Sequence, residues 1–431
     1  MKSKYVMLAS AMILSMSSFA QKDQIKAAEK ALKGGNAVEA INQLKQAEST
    51  IAAASDSEKA QYNFVKGNAL LDMAGKKMEP AKNYPAAAMA YQEVIAIEKK
   101  SGKSKYTSDA QTSLAQTKAG MVAAAQLEID KSSKAGNKAA ADLLYKTYEI
   151  DKSNMDNLYF AGIYNMKGEA YDDALNNFNE LKKANYTGEA TNYYAKNVVS
   201  DKEEFYGSGL EAKKNRDKQV SMKLASTPRD EKEASKKADI ARYVALIYLQ
   251  QNKLNEAKTA IAEAKSLAAD PNDNDLLIAE SQIYFGLGDM DNYKKVTTQL
   301  VEKNPTDGTL FFNLGAATAK TDPKAAEVYY KKAIAINPND YGSNINLALM
   351  TMEGESKLVD EMNKLGTSDK DNKRYEVLKK QRDDMFRSAI PYLEKAYELK
   401  SEEDVANTLL NVYGALELTA KKSALKAKMG K

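Results

Sequence analysis

The chain of 431 residues has no cysteine, no histidine and no tryptophan, and only eight prolines. Without cysteine no disulfide can form, so even in an oxidising compartment the fold must be held by packing. The imidazole and thiolate ligands of the common zinc and copper sites are missing, and with them Ser-His-Asp and Cys-His nucleophiles. No metal, cofactor or catalytic residue is expected. A Ser-Lys dyad or a carboxylate pair stays chemically open, because both residue types are abundant. Glu and Lys are spread at solvated spacings, however, as at Glu256 and Lys258 or Lys331 and Lys332, and no constellation stands out.

A net charge of one sign is almost absent too. The chain carries 63 basic and 59 acidic residues, a formal +4, and only six of the basic ones are Arg. Nucleic-acid binding usually shows as a clustered basic excess, so no nucleic-acid partner is expected. The basic run from Lys421 to Lys431 reads as a solvated last turn.

Long apolar runs are missing as well. The longest lies at the start, MKSKYVMLASAMILSMSSFAQ, where residues 5 to 14 are mostly apolar. It is too short and too interrupted by Ser for a membrane span, which needs about 20 apolar residues. With Lys2 and Lys4 before it and Ser18-Phe19-Ala20 after it, residues 1–20 read as a secretory signal peptide cut between Ala20 and Gln21. No Cys follows to carry a lipid. The expected product is an exported, soluble protein, with the periplasm of a bacterium as its compartment.

What is present is a repeat. Three proline turns, ADPND at Pro271, KNPTD at Pro305 and INPND at Pro338, are spaced 34 and 33 residues apart. Between them the chain reads as helix, short turn, helix, with Gly288 at one turn and Asp322-Pro323 opening another helix. This pattern resembles the tetratricopeptide repeat (TPR) family. The family's small residue at the crossing of the two helices matches Gly162, Ala245, Ser281, Gly315 and Ala348. Its small residue early in the second helix matches Ala174, Ala257, Ala326 and Ala389, followed one turn later by Phe178, Ile261, Tyr330 and Leu393. Small residues let the helix axes approach and the large one fills the groove. The family's Trp is replaced by Leu158, Leu277 and Phe311, and Tyr293 stands where a small residue is expected.

The resemblance implies an all-α, TPR-type right-handed α-solenoid of about seven to eight helix pairs, the last acting as a cap. Residues 21–185 form a degenerate N-terminal array and residues 238–431 a more regular C-terminal one, with a helical insert at about 353–381. Between them lies an insert at 186–237. Its stretch TNYYAKNVVSDKEEFYG, residues 191–207, alternates as a β-hairpin does. Residues 209–224 read as a polar helix, and ASTPRDEKEASKK as a loop with a proline turn. In the hairpin, Tyr193, Val198 and Phe205 are expected to face the helices, and Tyr194 and Tyr206 to face a partner.

For function, the resemblance implies a concave groove built from the first helix of each pair, which binds partner proteins or peptides. Carried onto this chain, the groove positions are Tyr159, Ile163 and Met166 in one repeat and Arg242, Leu246 and Leu249 in the next. Ile278, Gln282 and Phe285 follow, then Phe312 and Ala316, then Ile345 and Leu349. The bland reading of each is helix packing. Only Arg242 is basic and no paired Asn accompanies it, which argues against a clamp for a C-terminal carboxylate. The expected function is a non-enzymatic scaffold in the cell envelope, its contacts aromatic and aliphatic. Glycan binding remains an alternative, since scattered Tyr, Asn and Asp suit sugars, although Trp is missing.

Overall fold

The computed structural model describes residues 21–430, so the signal peptide expected at residues 1–20 lies outside the described residues. The chain divides into two compact units, the first ending at Ile247 and the second starting at Tyr248.

The first unit opens with eight helices in antiparallel pairs. These are α1 (residues 21–33) with α2 (Ala37–Ala47), and α3 (Asp56–Gly75) with α4 (Pro80–Ser101). Then come α5 (Thr107–Ile129) with α6 (Lys134–Ile150), and α7 (Met155–Lys167) with α8 (Tyr171–Lys183). From α2 onward each helix packs on the next, which makes the unit a stack of hairpins. The caps are irregular: Asn36, Ser55 and Ser133 accept from backbone N–H groups, whereas α4, α5, α7 and α8 start without a side-chain cap.

In the second unit, α11 (Leu254–Leu267) precedes four pairs. They are α12 (Asn274–Gly286) with α13 (Met290–Lys303), α14 (Gly308–Thr318) with α15 (Pro323–Ile336), α16 (Tyr341–Thr351) with α18 (Asp369–Leu399), and α19 (Glu403–Ala415) with α20 (Thr419–Lys428). From α12 to α16 the caps are uniform. Asp273, Asp289, Asp307, Asp322 and Asp340 each accept a backbone N–H in the first turn of α12, α13, α14, α15 and α16. Each such cap is worth about 1 kcal/mol over Ala. The sequence motif Pro-x-Asp therefore does two things: Pro closes one pair and Asp opens the next. The α16/α18 pair is split by α17 (Glu355–Asn363), and α18 runs 31 residues through Pro391.

One packing device recurs in both units. A β-carbon placed on Gly67 would meet the Tyr91 ring at 2.7 Å, on Gly162 the Phe178 ring at 2.7 Å, and on Gly315 the Tyr330 ring at 2.6 Å. In each case a first-helix glycine receives the flat side of a buried second-helix aromatic, so the helices cross at close range. With this crossing in both units and the 34-residue spacing in the second, the fold is a tetratricopeptide-type α-solenoid, regular in the second unit and longer-helixed in the first.

The first unit also holds the insert. β1 (Thr191–Asn197) lies between β2 (Glu203–Ser208) and β3 (Ala225–Lys232) in an antiparallel sheet, with α9 (Gly209–Ser221) packed against all three strands. The stretch read as a loop around Pro228 is thus the third strand. Pro228 hides it: a residue without N–H normally argues against a strand, but β3 is an edge strand, where that loss is tolerated. The ladder also steps between the Tyr194–Arg229 and Lys196–Ser226 pairs, and Thr227 takes a left-handed φ of 45° there. Buried Arg216 of α9 pins the sheet. It donates to the carbonyls of Tyr194 and Arg229, pairs with Asp217 and Asp230, and stacks on Tyr193. After the sheet, α10 (Lys237–Gln250) starts within the first unit and ends in the second.

Candidate protein-interaction surface

The groove positions fall into two groups. In the first unit, Tyr159 is buried, with Tyr186 at 6.1 Å and Tyr243 at 6.4 Å between ring centroids. The Lys236 ammonium lies 5.4 Å from its ring, and burial pushes the Tyr159 phenol above its ordinary pKa. Tyr243 of α10 stacks in turn on Phe178, at 5.6 Å and 17°. Tyr186 closes the arrangement by hydrogen-bonding Asp156. Ile163 is buried and Met166 half-buried. Arg242 is half-buried, paired with Asp239 at 3.1 Å and laid over Tyr243, and Leu246 is half-buried beside it. The first-helix face of α7 is therefore occupied by the residues that flank the insert and by α10.

In the second unit the equivalent face is open. Ile278, Gln282 and Phe285 stand at i, i+4 and i+7 on α12 and are all exposed, Phe285 to 61%. One and two repeats further on, the positions matching Gln282 are Ala316 of α14 and Leu349 of α16, and both are exposed. The positions matching Ile278 are Phe312 and Ile345, both half-buried. Phe312 lies 6.1 Å from Tyr330, and a β-carbon on Gly342 would meet its ring at 2.7 Å, so α14 and α16 lie side by side. Ile345 packs on the C-terminal core around Leu393 and Leu409. Leu249 is half-buried near Gly286. The open strip therefore runs along α12, α14 and α16 and carries no charge at the three repeat-equivalent positions. Chemically it suits an apolar segment of a partner.

The insert distributes its residues differently from a plain two-residue alternation. A bulge between Tyr193 and Tyr194 makes Tyr194 oppose Phe205 and leaves Tyr206 as the extra residue of β2. Tyr194 and Phe205 share one face, with centroids 5.2 Å apart, and Arg229 lies 4.3 Å over Tyr194, held by Glu203 and Glu231. Tyr206 is half-buried and hydrogen-bonded to Glu204. Val198 and Phe205, expected against the helices, are exposed. Among the described residues no group of carboxylates is arranged to hold a metal ion, and no helix is long and apolar enough to cross a membrane.

Two features escaped the sequence reading. Phe160 is exposed although it neighbours buried Tyr159. Tyr243 fills a neighbouring helix's face, which a within-repeat pattern cannot show.

Among solved structures, the chain is similar to YrrB, described as a TPR protein with an unusual peptide-binding site, at 17% identity over 52% of this chain and 88% of that one (TM-score 0.34). A tetratricopeptide repeat protein from Parabacteroides merdae is 10% identical over 91% and 98% (TM-score 0.32). The C-terminal part of a TPR repeat-containing protein from Cytophaga hutchinsonii is 11% identical over 89% and 99% (TM-score 0.35). No protein-family model and no curated protein sequence matches the chain. With identities and TM-scores this low, the tetratricopeptide assignment rests on the chain's own repeat and crossing geometry.

Proposed function

We propose that this chain is a non-enzymatic protein-interaction scaffold, exported to the periplasm, which binds an apolar segment of an envelope protein along α12, α14 and α16. The observation that carries the reading is the open strip itself: Ile278 and Phe285 are exposed on α12 while the matching face of α7 is filled. A large exposed apolar side chain on a well-packed helix is what interface anchors look like before binding. The sheet face of Tyr194, Phe205 and Arg229 supports a second contact region of the same kind.

A photo-crosslinking amino acid at position 285, introduced into the chain in growing cells, tests the site. One dominant crosslinked protein, lost when Ile278→Ser is added, is the expected result. Absence of any crosslink at 285, beside equal labelling at the buried Tyr293 position, breaks the reading. Export is tested separately: the N-terminus of the purified cellular protein should be Gln21, and the protein should appear in the periplasmic fraction.

A further inference from the structure

The insert ends in a tip made of two adjacent turns. One joins β1 to β2 and carries Val198 and Val199; the other joins α9 to β3 and carries Met222 and Leu224. The Val198 N–H donates to the Leu224 carbonyl at 3.1 Å, and Asn197 pairs with Ala225, so the turns are fixed side by side. All four apolar side chains are half or more exposed, and Val199 is 96% exposed. This is not a loose loop. The Asn197 side chain accepts the N–H groups of Val199 and Ser200, and the Asn197 carbonyl accepts that of Asp201. On the other turn, Met222 and Leu224 donate to the carbonyls of Lys218 and Gln219, with Lys223 in the left-handed region at φ 57°. Satisfied backbone hydrogen bonds hold apolar side chains outward, where water solvates them poorly.

Around the tip, three positive charges and one negative charge remain once internal ion pairs are set aside. Asp201 pairs with Lys196, Glu203 with Arg229, Asp217 with Arg216 and Glu211 with Lys214, while Glu204, hydrogen-bonded by the neutral Asn197 amide, keeps its charge. Lys202, Lys218 and Lys223 are exposed and have no ion pair among the described residues. A convex apolar tip ringed by free ammonium groups has no pocket to clasp a peptide. Its chemistry matches an interface that is apolar beneath and anionic above.

We propose that this tip is an interfacial anchor for a membrane surface containing anionic phospholipid, with Val198, Val199, Met222 and Leu224 entering the headgroup boundary and Lys202, Lys218 and Lys223 meeting phosphate. The proposal does not depend on the partner strip of the second unit.

The absence of Trp makes the test direct. In the full-length chain, Val199→Trp gives a single indole at the tip. On addition of phosphatidylcholine vesicles doped with phosphatidylglycerol its emission should shift to the blue, and it should not shift with pure phosphatidylcholine. Changing Lys202, Lys218 and Lys223 to Gln in that background should weaken the titration at least about tenfold, since each lysine near such a surface is worth about 1 kcal/mol. High salt should act in the same direction. Val199 is too exposed for the reporter to disturb folding, which circular dichroism checks. A tryptophan whose emission stays unchanged on doped vesicles overturns the proposal and assigns the tip to a protein contact. A shift of equal size on neutral vesicles overturns the role given to the lysines.

Discussion

Helices α7 and α12 hold the same place in their repeats, yet one is closed and the other open. On α7, Tyr159 is walled in by Tyr186, Tyr243 and Lys236. On α12, the positions Ile278, Gln282 and Phe285 meet solvent. The local patterns are alike: each helix has its small crossing residue, Gly162 or Ser281, and an apolar first-helix face. The difference comes from what the chain does next. After α8 it builds a sheet whose flanks bring Tyr186 and Tyr243 onto α7; after α13 it enters another repeat. In a solenoid, whether a groove position is core or site is decided by the neighbouring element, not by the repeat that carries it.

The largest effect that tests this contrast is on α7. Tyr159→Ala should destabilise the first unit by about 3 kcal/mol or more, the range for truncating a buried aromatic. Urea unfolding followed by circular dichroism would register it, as would faster amide exchange in α7 and α8. A variant that keeps its stability but loses a partner would mean that Tyr159 is a binding residue and that the closure is not structural.

Next in size is the crossing that both units share. Gly162→Ala and Gly315→Ala each press a methyl group to within 2.7 Å of a buried ring. Overpacking of this kind costs about 1–3 kcal/mol, offset by up to about 1 kcal/mol of helix propensity. A net loss of about 1 kcal/mol in each unit is expected, read from thermal midpoints. If only one variant is destabilised, the two crossings are not equivalent and the contrast between the units reaches into their cores.

How much of this was legible follows from the same distinction. Much of what is set within one repeat was readable: the proline turns at Pro305 and Pro338, the Gly162–Phe178 and Gly315–Tyr330 crossings, and the hairpin around Ser200. The Gly67–Tyr91 crossing was not, because the longer helices of that pair blur the repeat. What depended on a partner element was not. β3 was hidden because Pro228 forbids a central strand and only the topology makes β3 an edge. The bulge at Tyr193/Tyr194 turned Phe205 from an expected inner residue into an exposed one. Tyr243 closing α7 had no local signal at all.

A smaller effect concerns how the closed side is tied down. Asp151, in the turn before α7, accepts from Lys118 of α5 at 2.8 Å and from Ser153. The Lys118 hydrogen bond, the largest cause, holds the Asp151 carboxyl at about 2, below its ordinary 3.8. A carboxyl lowered by folding stabilises the native state above its ordinary pKa, and that contribution is lost as pH falls through the folded value. Lys118→Met should raise the Asp151 pKa toward the ordinary range, seen by carboxyl-carbon NMR titration. The stability lost at neutral pH should stay below about 1 kcal/mol, because the pair is partly solvated. An unchanged pKa in the variant would show that the backbone and Ser153, not Lys118, set it.

The smallest expected effect on stability belongs to α12 and separates the two helices most sharply. Ile278 and Phe285 are exposed, so changing both to Ser removes little buried apolar area. The midpoint of unfolding should move by no more than about 0.5 kcal/mol, as for surface positions generally. Phe285 does touch Tyr293, with centroids 5.4 Å apart, so any loss should be confined to the α12/α13 pair. Binding of the proposed partner along the strip should in contrast fall at least about tenfold, the consequence of removing an aromatic anchor. A double variant that unfolds like Tyr159→Ala would make α12 as structural as α7, and the open strip would then be an unfilled core face. A variant that folds and still binds fully would move the partner off α12, leaving the sheet face of Tyr194, Phe205 and Arg229 as the region to change next.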